Sequence, residues 1–185
     1  MCTKQNIQKV QNIVDEGDLL FMRRFQFPYS HMVIGAYDGI AHVGIVFLKN
    51  NIFHVNDVTI GGNRALTLEN FLNLGKYLYL QVYRPIHKLN KHCLRAYTLC
   101  NCAYAGLRVP NGTRHSCTSY VRKVVNDCSI KSVYYDSWRD GVFPSTLYKK
   151  IKGEEIYKCG DRYAITSNRL ILFVFIALLC KLLFN

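Results

Sequence analysis

The chain has 185 residues, of which half are hydrophobic and 13% are aromatic, and its formal net charge is +12. This length suits one domain, or one domain with a tail, and the apolar content excludes a chain that is disordered throughout. The positive charge favours an anionic membrane surface or nucleic acid as a partner. Because the basic residues are spread along the chain and no nucleic-acid recognition motif is present, we expect no nucleic-acid partner.

The eight cysteines contain no C-x-x-C pair, which argues against a zinc site. We expect neither a metal nor another cofactor. The first fifteen residues lack the apolar segment of a secretory signal peptide. We therefore expect a cytoplasmic, reducing environment with free thiols. The glycosylation sequon that begins at Asn111 is expected to be unused.

The N-terminal half of the chain is predicted to form a short helix followed by strands. Residues 3–14 carry apolar side chains at helical spacing, and the apolar residues 19–22 predict a first strand. Residues 40–47 and 51–58 predict two further strands, which form a β-hairpin if the polar residues 49–51 make the turn.

The rest of the domain is predicted to be mixed. A short helix is expected to begin at its N-cap Thr67, and a longer one at Cys117 with Ser116 as its N-cap. The remaining predicted elements are a strand over residues 77–84, a helix over 88–105 and a short helix that begins at Pro144.

The C-terminus is an apolar segment. Residues 170–180 carry no polar side chain, and the segment continues past Lys181 to Phe184. Fifteen helical residues, at ~1.5 Å each, fall short of the ~30 Å hydrocarbon core, although Lys181 can extend its ammonium group to the headgroups. We interpret residues 1–168 as a catalytic domain and 169–185 as a hydrophobic tail that anchors it to a membrane. The alternatives for this segment are a helix buried in the core and a helix that lies in the membrane interface.

Three residues could form a cysteine nucleophile site. A thiol becomes a nucleophile when the positive end of a helix and a nearby imidazole lower its pKa, and Cys117 has the first of these by position. His42 is the candidate general base, and His54 is the candidate residue that orients His42. Asp57 is the alternative for the orienting role. His115 is the alternative base, but it lies in a loop, which is a less rigid platform than a strand.

The geometry of the hairpin constrains this hypothesis. His42 and His54 share a face only if the turn has an odd number of unpaired residues or the hairpin has a bulge. The region 47–51 permits an odd loop without requiring one. Each residue also has a structural alternative, since a cysteine is often a packed thiol and a histidine at a strand end often binds backbone.

The order of the motifs resembles a known superfamily. Gly17-Asp18-Leu19-Leu20 comes first, then His42-Val43-Gly44-Ile45-Val46, and then Ser116-Cys117 at a helix start. This order resembles the circularly permuted branch of the NlpC-type papain-like superfamily over residues 15–150. The branch includes lecithin:retinol acyltransferase-like enzymes, YiiX-like hydrolases and a poxvirus family, which the chain resembles most.

The resemblance implies an α+β fold in which an antiparallel sheet packs on helices. It also implies that Cys117 is the nucleophile, His42 the base and His54 the third polar residue. Acyltransferase-like members act on lipid esters and often have a C-terminal anchor, whereas YiiX-like members more often carry Glu at the third position. His54 therefore favours the acyltransferase side, although the residues around Cys117 do not match the Asn-Cys-Glu of those enzymes.

We therefore expect a cysteine hydrolase or acyltransferase that acts through a thioester, with a lipid ester at a membrane surface as its substrate. One alternative is a cysteine peptidase or amidase that uses the same site on a peptide. The other is a binding module that kept the fold without the activity.

Overall fold

The computed structural model describes residues 1–25, 39–97, 103–104, 114–130 and 143–162. The N-terminal half contains α1 (Lys4–Ile13), β1 (Leu19–Phe25), β2 (His42–Lys49), β3 (Ile52–Thr59), β4 (Gly62–Thr67), α2 (Leu68–Leu72) and β5 (Lys76–Pro85). The C-terminal half contains α3 (Lys91–Tyr97), β6 (Ala103–Tyr104), β7 (Arg114–His115), α4 (Cys117–Cys128), α5 (Pro144–Lys150) and β8 (Gly153–Gly160).

Six strands form one antiparallel sheet in the order β4-β3-β2-β1-β5-β8. The short strands β6 and β7 form a separate parallel pair. Helices and an antiparallel sheet together confirm the expected α+β class.

Both faces of the sheet are buried by helices. Successive side chains of a strand point to opposite faces, so Leu19 and Phe21 belong to one hydrophobic cluster and Leu20 and Met22 to the other. The first cluster includes residues of α3, α4 and α5, and the second includes residues of α1 and α2. The helix that begins at Cys117 therefore packs on the face opposite α1.

The turn between β2 and β3 has two residues. Asn50 and Asn51 have φ angles of 51° and 61°, and Lys49 pairs with Ile52 on either side of them. Two left-handed residues in succession form the turn that matches the twist of a hairpin, and asparagine tolerates that conformation well. The odd loop that the proposed pairing of His42 with His54 needed is therefore absent.

Most predicted elements are present, and the errors lie at short or edge strands. The helices at the N-terminus, after Thr67, at Cys117 and at Pro144 occur as expected. β4 and β8 were not predicted, because both are edge strands with many polar residues. The predicted helix over 88–105 is wrong at Ala103–Tyr104, which form a strand.

Cys2 and Cys159 form a disulfide bond, with their Cα atoms 5.5 Å apart. The expectation that the thiols are free is therefore wrong for these two residues, which lie 157 positions apart in the sequence. Only the fold brings them together, because the segment before α1 lies beside the sheet, where the Cys2 amide donates to the Tyr77 carbonyl. Cys93, Cys117 and Cys128 are free, and the other three cysteines lie outside the described residues.

The proposed membrane tail, residues 169–185, lies outside the described residues. Within the part of the chain that the structure describes, no helix is long and apolar enough to cross a membrane.

Candidate active site

Cys117 is the first residue of α4, and a capping box fixes this helix start. The Ser116 hydroxyl accepts a hydrogen bond from the Ser119 amide (3.2 Å), and the Ser119 hydroxyl accepts one from the Ser116 amide (2.9 Å). The cap orders the first turn, whose backbone N–H groups give this end of the helix a partial positive charge. The sequence thus places the Cys117 thiol where a thiolate is stabilised.

Contacts from the sheet lower the pKa of Cys117 further. The Cys117 sulfur hydrogen-bonds to the His42 side chain and to the backbone of Val43. Burial alone would raise the pKa of this thiol, but the charge and hydrogen bond of His42 bring it below its ordinary value. The predicted contact between the cysteine and the strand histidine is therefore present.

His42 is the first residue of β2 and is only 4% exposed. Its Nε2 atom lies 2.7 Å from Oδ2 of Asp57. Burial would lower the pKa of His42, but the charge of the Cys117 thiolate and the hydrogen bond with Asp57 raise it to about 9. These opposite pKa shifts favour a thiolate–imidazolium pair, and the contact of Nε2 with Asp57 leaves Nδ1 of His42 for Cys117.

Asp57 is fully buried and binds two partners. Arg64 donates from Nε to Oδ1 (2.7 Å) and from a terminal nitrogen to Oδ2 (2.9 Å), while His42 occupies the other side of Oδ2. Burial would raise the pKa of Asp57, but hydrogen bonds from His42 and Arg64 lower it to about 2. The carboxylate is therefore charged throughout the physiological pH range.

Arg64 is a residue that the sequence did not suggest. It lies on β4, directly opposite Asp57 in the strand register. Opposite charges on paired positions of two strands would have been the signal, but that signal is visible only once β4 is known to be a strand.

His54 does not lie beside His42, which corrects the predicted site. It pairs with Phe47 across the hairpin, and the two rings are 5.4 Å apart. Its Nδ1 atom lies 2.9 Å from the carbonyl oxygen of Ile52. The physical reason is the two-residue turn, which places His54 on the face of β3 opposite to Asp57. Asp57, the predicted alternative, occupies the orienting position.

Gly44 permits the close approach of β2 and β3 beside this site. A Cβ atom at Gly44 would lie 2.6 Å from Cγ1 of Val55 and 3.5 Å from Cβ of Asp57. The first distance is shorter than real Cβ contacts, so a side chain at residue 44 would force Val55 or the two strands to shift beside Asp57.

Two contacts of Tyr120 hold α4 against the sheet and against α3. The Asn56 side chain of β3 donates to the Tyr120 hydroxyl (2.9 Å), and this hydroxyl donates to the Tyr97 carbonyl (3.1 Å).

His115, the alternative base, has its Nδ1 atom 3.5 Å from the Ser119 hydroxyl and lies edge-on to the Tyr120 ring. The base that contacts Cys117 through a hydrogen bond is thus His42.

Arg24 is a buried guanidinium that interacts electrostatically with this network. Arg24 is 2% exposed and lies over the rings of Phe71 (5.6 Å) and Tyr77 (6.0 Å). Burial lowers the pKa of Arg24, and its electrostatic interactions include Asp57 and Arg64.

Comparisons with known proteins show the fold and no more. No family model and no curated protein matches the chain. Among solved structures, the metalloprotein YiiX from Escherichia coli O157:H7 matches with a TM-score of 0.63 and 15% identity, over 79% of this chain and 98% of that chain. The chain therefore has a YiiX-like fold. Among the described residues, no group of three or more His, Cys, Asp or Glu side chains is arranged to hold a metal ion.

Proposed function

We propose that the chain is a cysteine-dependent hydrolase or acyltransferase in which Cys117 is the nucleophile, His42 the acid and base, and Asp57 the residue that orients His42. The single observation that carries this proposal is the continuous hydrogen-bonded series from Cys117 through His42 to Asp57, with a lowered pKa at the thiol and a raised one at the imidazole. A packed structural thiol has no need of an imidazole aligned on it by a buried carboxylate, whereas a nucleophile does.

The proposed reaction has two steps. The Cys117 thiolate attacks an ester carbonyl to form a C–S bond; the C–O bond then breaks, and the His42 imidazolium gives its proton to the departing alkoxide. In the second step His42 takes a proton from water or from an acceptor alcohol or amine, whose attack on the thioester releases the thiolate. The free backbone N–H of Cys117 at the start of α4 is available to the oxyanion in both steps.

We further propose that the fold is the circularly permuted, NlpC-type papain-like one, and, from the order of the motifs alone, that the chain belongs to the poxvirus family of that branch. Two observations support the permuted papain-like fold. The base His42 precedes the nucleophile Cys117 in the chain, and the fold is YiiX-like.

The proposed substrate is a lipid ester at an anionic membrane surface. The net charge of +12 and the apolar segment 170–184 support this choice. His54 does not support a lipid substrate, because it lies away from His42, and an acid, Asp57, occupies the third position of the site. An acid at this position is closer to the Glu that the YiiX-like resemblance implies. A peptide or amide that reacts at the same Cys117 site is the second candidate substrate.

The solved neighbour is described as a metalloprotein. The described residues do not suit a metal, since His42 and Asp57 bind each other and Arg64 occupies both carboxylate oxygens. We therefore assign no step of the reaction to a metal ion.

The test is acyl transfer from a chromogenic fatty-acyl ester to the full chain, followed by mass mapping of the trapped adduct. We expect an acyl group on Cys117 and none in Cys117→Ala. Cys93→Ala is the matched control, since Cys93 is also a free, partly exposed thiol, and it should keep the adduct. Parallel reactions with a peptide ester distinguish a peptidase from a lipid-acting enzyme. If neither ester acylates Cys117, the site is that of a binding module and the proposal is wrong.

A further inference from the structure

Two free cysteines outside the proposed active site lie against each other. The Cys128 thiol, at the C-terminal end of α4, is 2.7 Å from the sulfur of Cys93 on α3. A disulfide bond needs about 2.05 Å between the sulfurs, so the pair requires only a small closing movement. From this geometry we propose that Cys93 and Cys128 are a second disulfide-forming site, which a small-molecule disulfide such as oxidised glutathione converts to a covalent bond between α3 and α4.

The surrounding contacts keep the two helices in this arrangement. The Asn90 amide donates to the Cys128 carbonyl (2.7 Å), and Leu89 and Ser129 form an isolated β-bridge. The Cys93 sulfur also lies 3.6 Å from the Asp127 carbonyl. These contacts join the start of α3 to the end of α4 beside the thiols, so closing the gap between the sulfurs needs little movement of the helices.

The different exposure of the two thiols sets the order of the steps. Cys93 is partly exposed and Cys128 is buried, and burial also raises the pKa of Cys128. Cys93 therefore attacks the glutathione disulfide first, which forms a mixed disulfide and releases one glutathione. The Cys128 thiolate then attacks the Cys93 sulfur and releases the second glutathione. Although Cys128 ionises poorly, the second step is intramolecular, which compensates for the small thiolate fraction.

This site is independent of the proposed catalysis. Cys128 and Cys117 occupy opposite ends of the twelve-residue helix α4, about 16 Å apart along its axis. The disulfide should therefore stabilise the chain and leave the acid–base pair at Cys117 intact.

The experiment treats the full chain carrying Cys117→Ser with oxidised glutathione, blocks remaining thiols with N-ethylmaleimide and maps disulfide-linked peptides. The Cys117→Ser background prevents exchange with the proposed nucleophile. We expect a Cys93–Cys128 link with a loss of two hydrogens, and a rise of about 5 to 10 °C in the melting temperature. Cys93→Ser should abolish both changes. A Cys93 that remains glutathionylated, or that links to another cysteine, overturns the proposal.

A second measurement separates this site from the proposed catalytic one. In the reduced chain with Cys117 intact, Cys93→Ser should leave the rate of Cys117 alkylation within about twofold of the native rate, since Cys93 lies at the other end of α4 from the helix N-terminus. The mapping experiment does not depend on any activity, so a failure of the proposed catalysis leaves its result interpretable.

Discussion

Oδ2 of Asp57 lies 2.7 Å from Nε2 of His42, and the same carboxylate accepts two hydrogen bonds from Arg64. The carboxylate is fully buried and charged, so it fixes the orientation of the imidazole that meets Cys117.

The reactivity of Cys117 towards iodoacetamide should depend on His42. In the native chain we expect the alkylation rate to rise with a midpoint below the ordinary thiol pKa of about 8.5, because the pKa of Cys117 is lowered. Ester turnover should fall as the pH rises through about 9, where His42 loses the proton that the leaving group needs. His42→Ala should move the alkylation midpoint upward and slow the reaction at pH 7 by about tenfold or more. An unchanged midpoint would show that His42 does not activate the thiol.

Asp57→Asn should reduce turnover far more than His54→Ala. Loss of the charged acceptor leaves the imidazole free to adopt the wrong tautomer, and we expect a fall in kcat of about 10² to 10⁴. His54 lies on the other face of β3, so His54→Ala should stay within about threefold of the native rate. The measurement is steady-state ester hydrolysis by variants with native melting temperatures. Equal losses in the two variants would contradict the assignment of Asp57.

Arg64 should act on the reaction through Asp57. Arg64→Gln removes both hydrogen bonds, so the pKa of Asp57, followed by the ¹³C shift of its carboxyl group, should rise from about 2. Arg64→Lys should restore the low pKa of Asp57 only in part, because an ammonium group cannot bind both carboxylate oxygens as the guanidinium does. Arg95→Gln is the matched control, since Arg95 makes the same contact through two nitrogens with a different carboxylate, that of Glu16. No change in the carboxyl titration of Asp57 would argue against a positioning role.

Gly44→Ala should destabilise the fold and disturb the site. The new methyl group would lie 2.6 Å from Cγ1 of Val55, so the Val55 side chain or the two strands must shift, at a cost of about 1–3 kcal/mol in the free energy of unfolding. Urea unfolding measures this change. Gly75→Ala is the control, because no atom lies within 4 Å of a Cβ there, and it should shift the unfolding midpoint little. Similar effects at both positions would mean that the contact with Val55 does not limit the approach of the strands.

The apolar tail should determine membrane association. Removal of residues 169–185 deletes the segment proposed as the anchor, so the shortened chain should stay in the supernatant when anionic vesicles are pelleted in about 0.5 M salt, where surface electrostatics are screened. The full chain should pellet under the same conditions. Pelleting of both chains would reject the anchor.

The sequence was sufficient for features that depend on neighbouring residues. Apolar spacing and the N-caps Thr67 and Ser116 predicted the positions of helices, because a cap bonds to an amide only three residues away. The same pattern placed Cys117 at a helix start. His42 was identified as its partner from motif order, and the structure shows their hydrogen bond.

Only the tertiary structure decided which acidic or basic residue completes the site. His54 and Asp57 lie on the same strand, and the two-residue turn at Asn50 and Asn51 determines which of them faces His42. The contribution of Arg64 depends on the pairing of an edge strand, and the Cys2–Cys159 bond on segments far apart in the chain. Local residue patterns do not encode strand parity or long-range proximity, since both are set by how the whole sheet assembles.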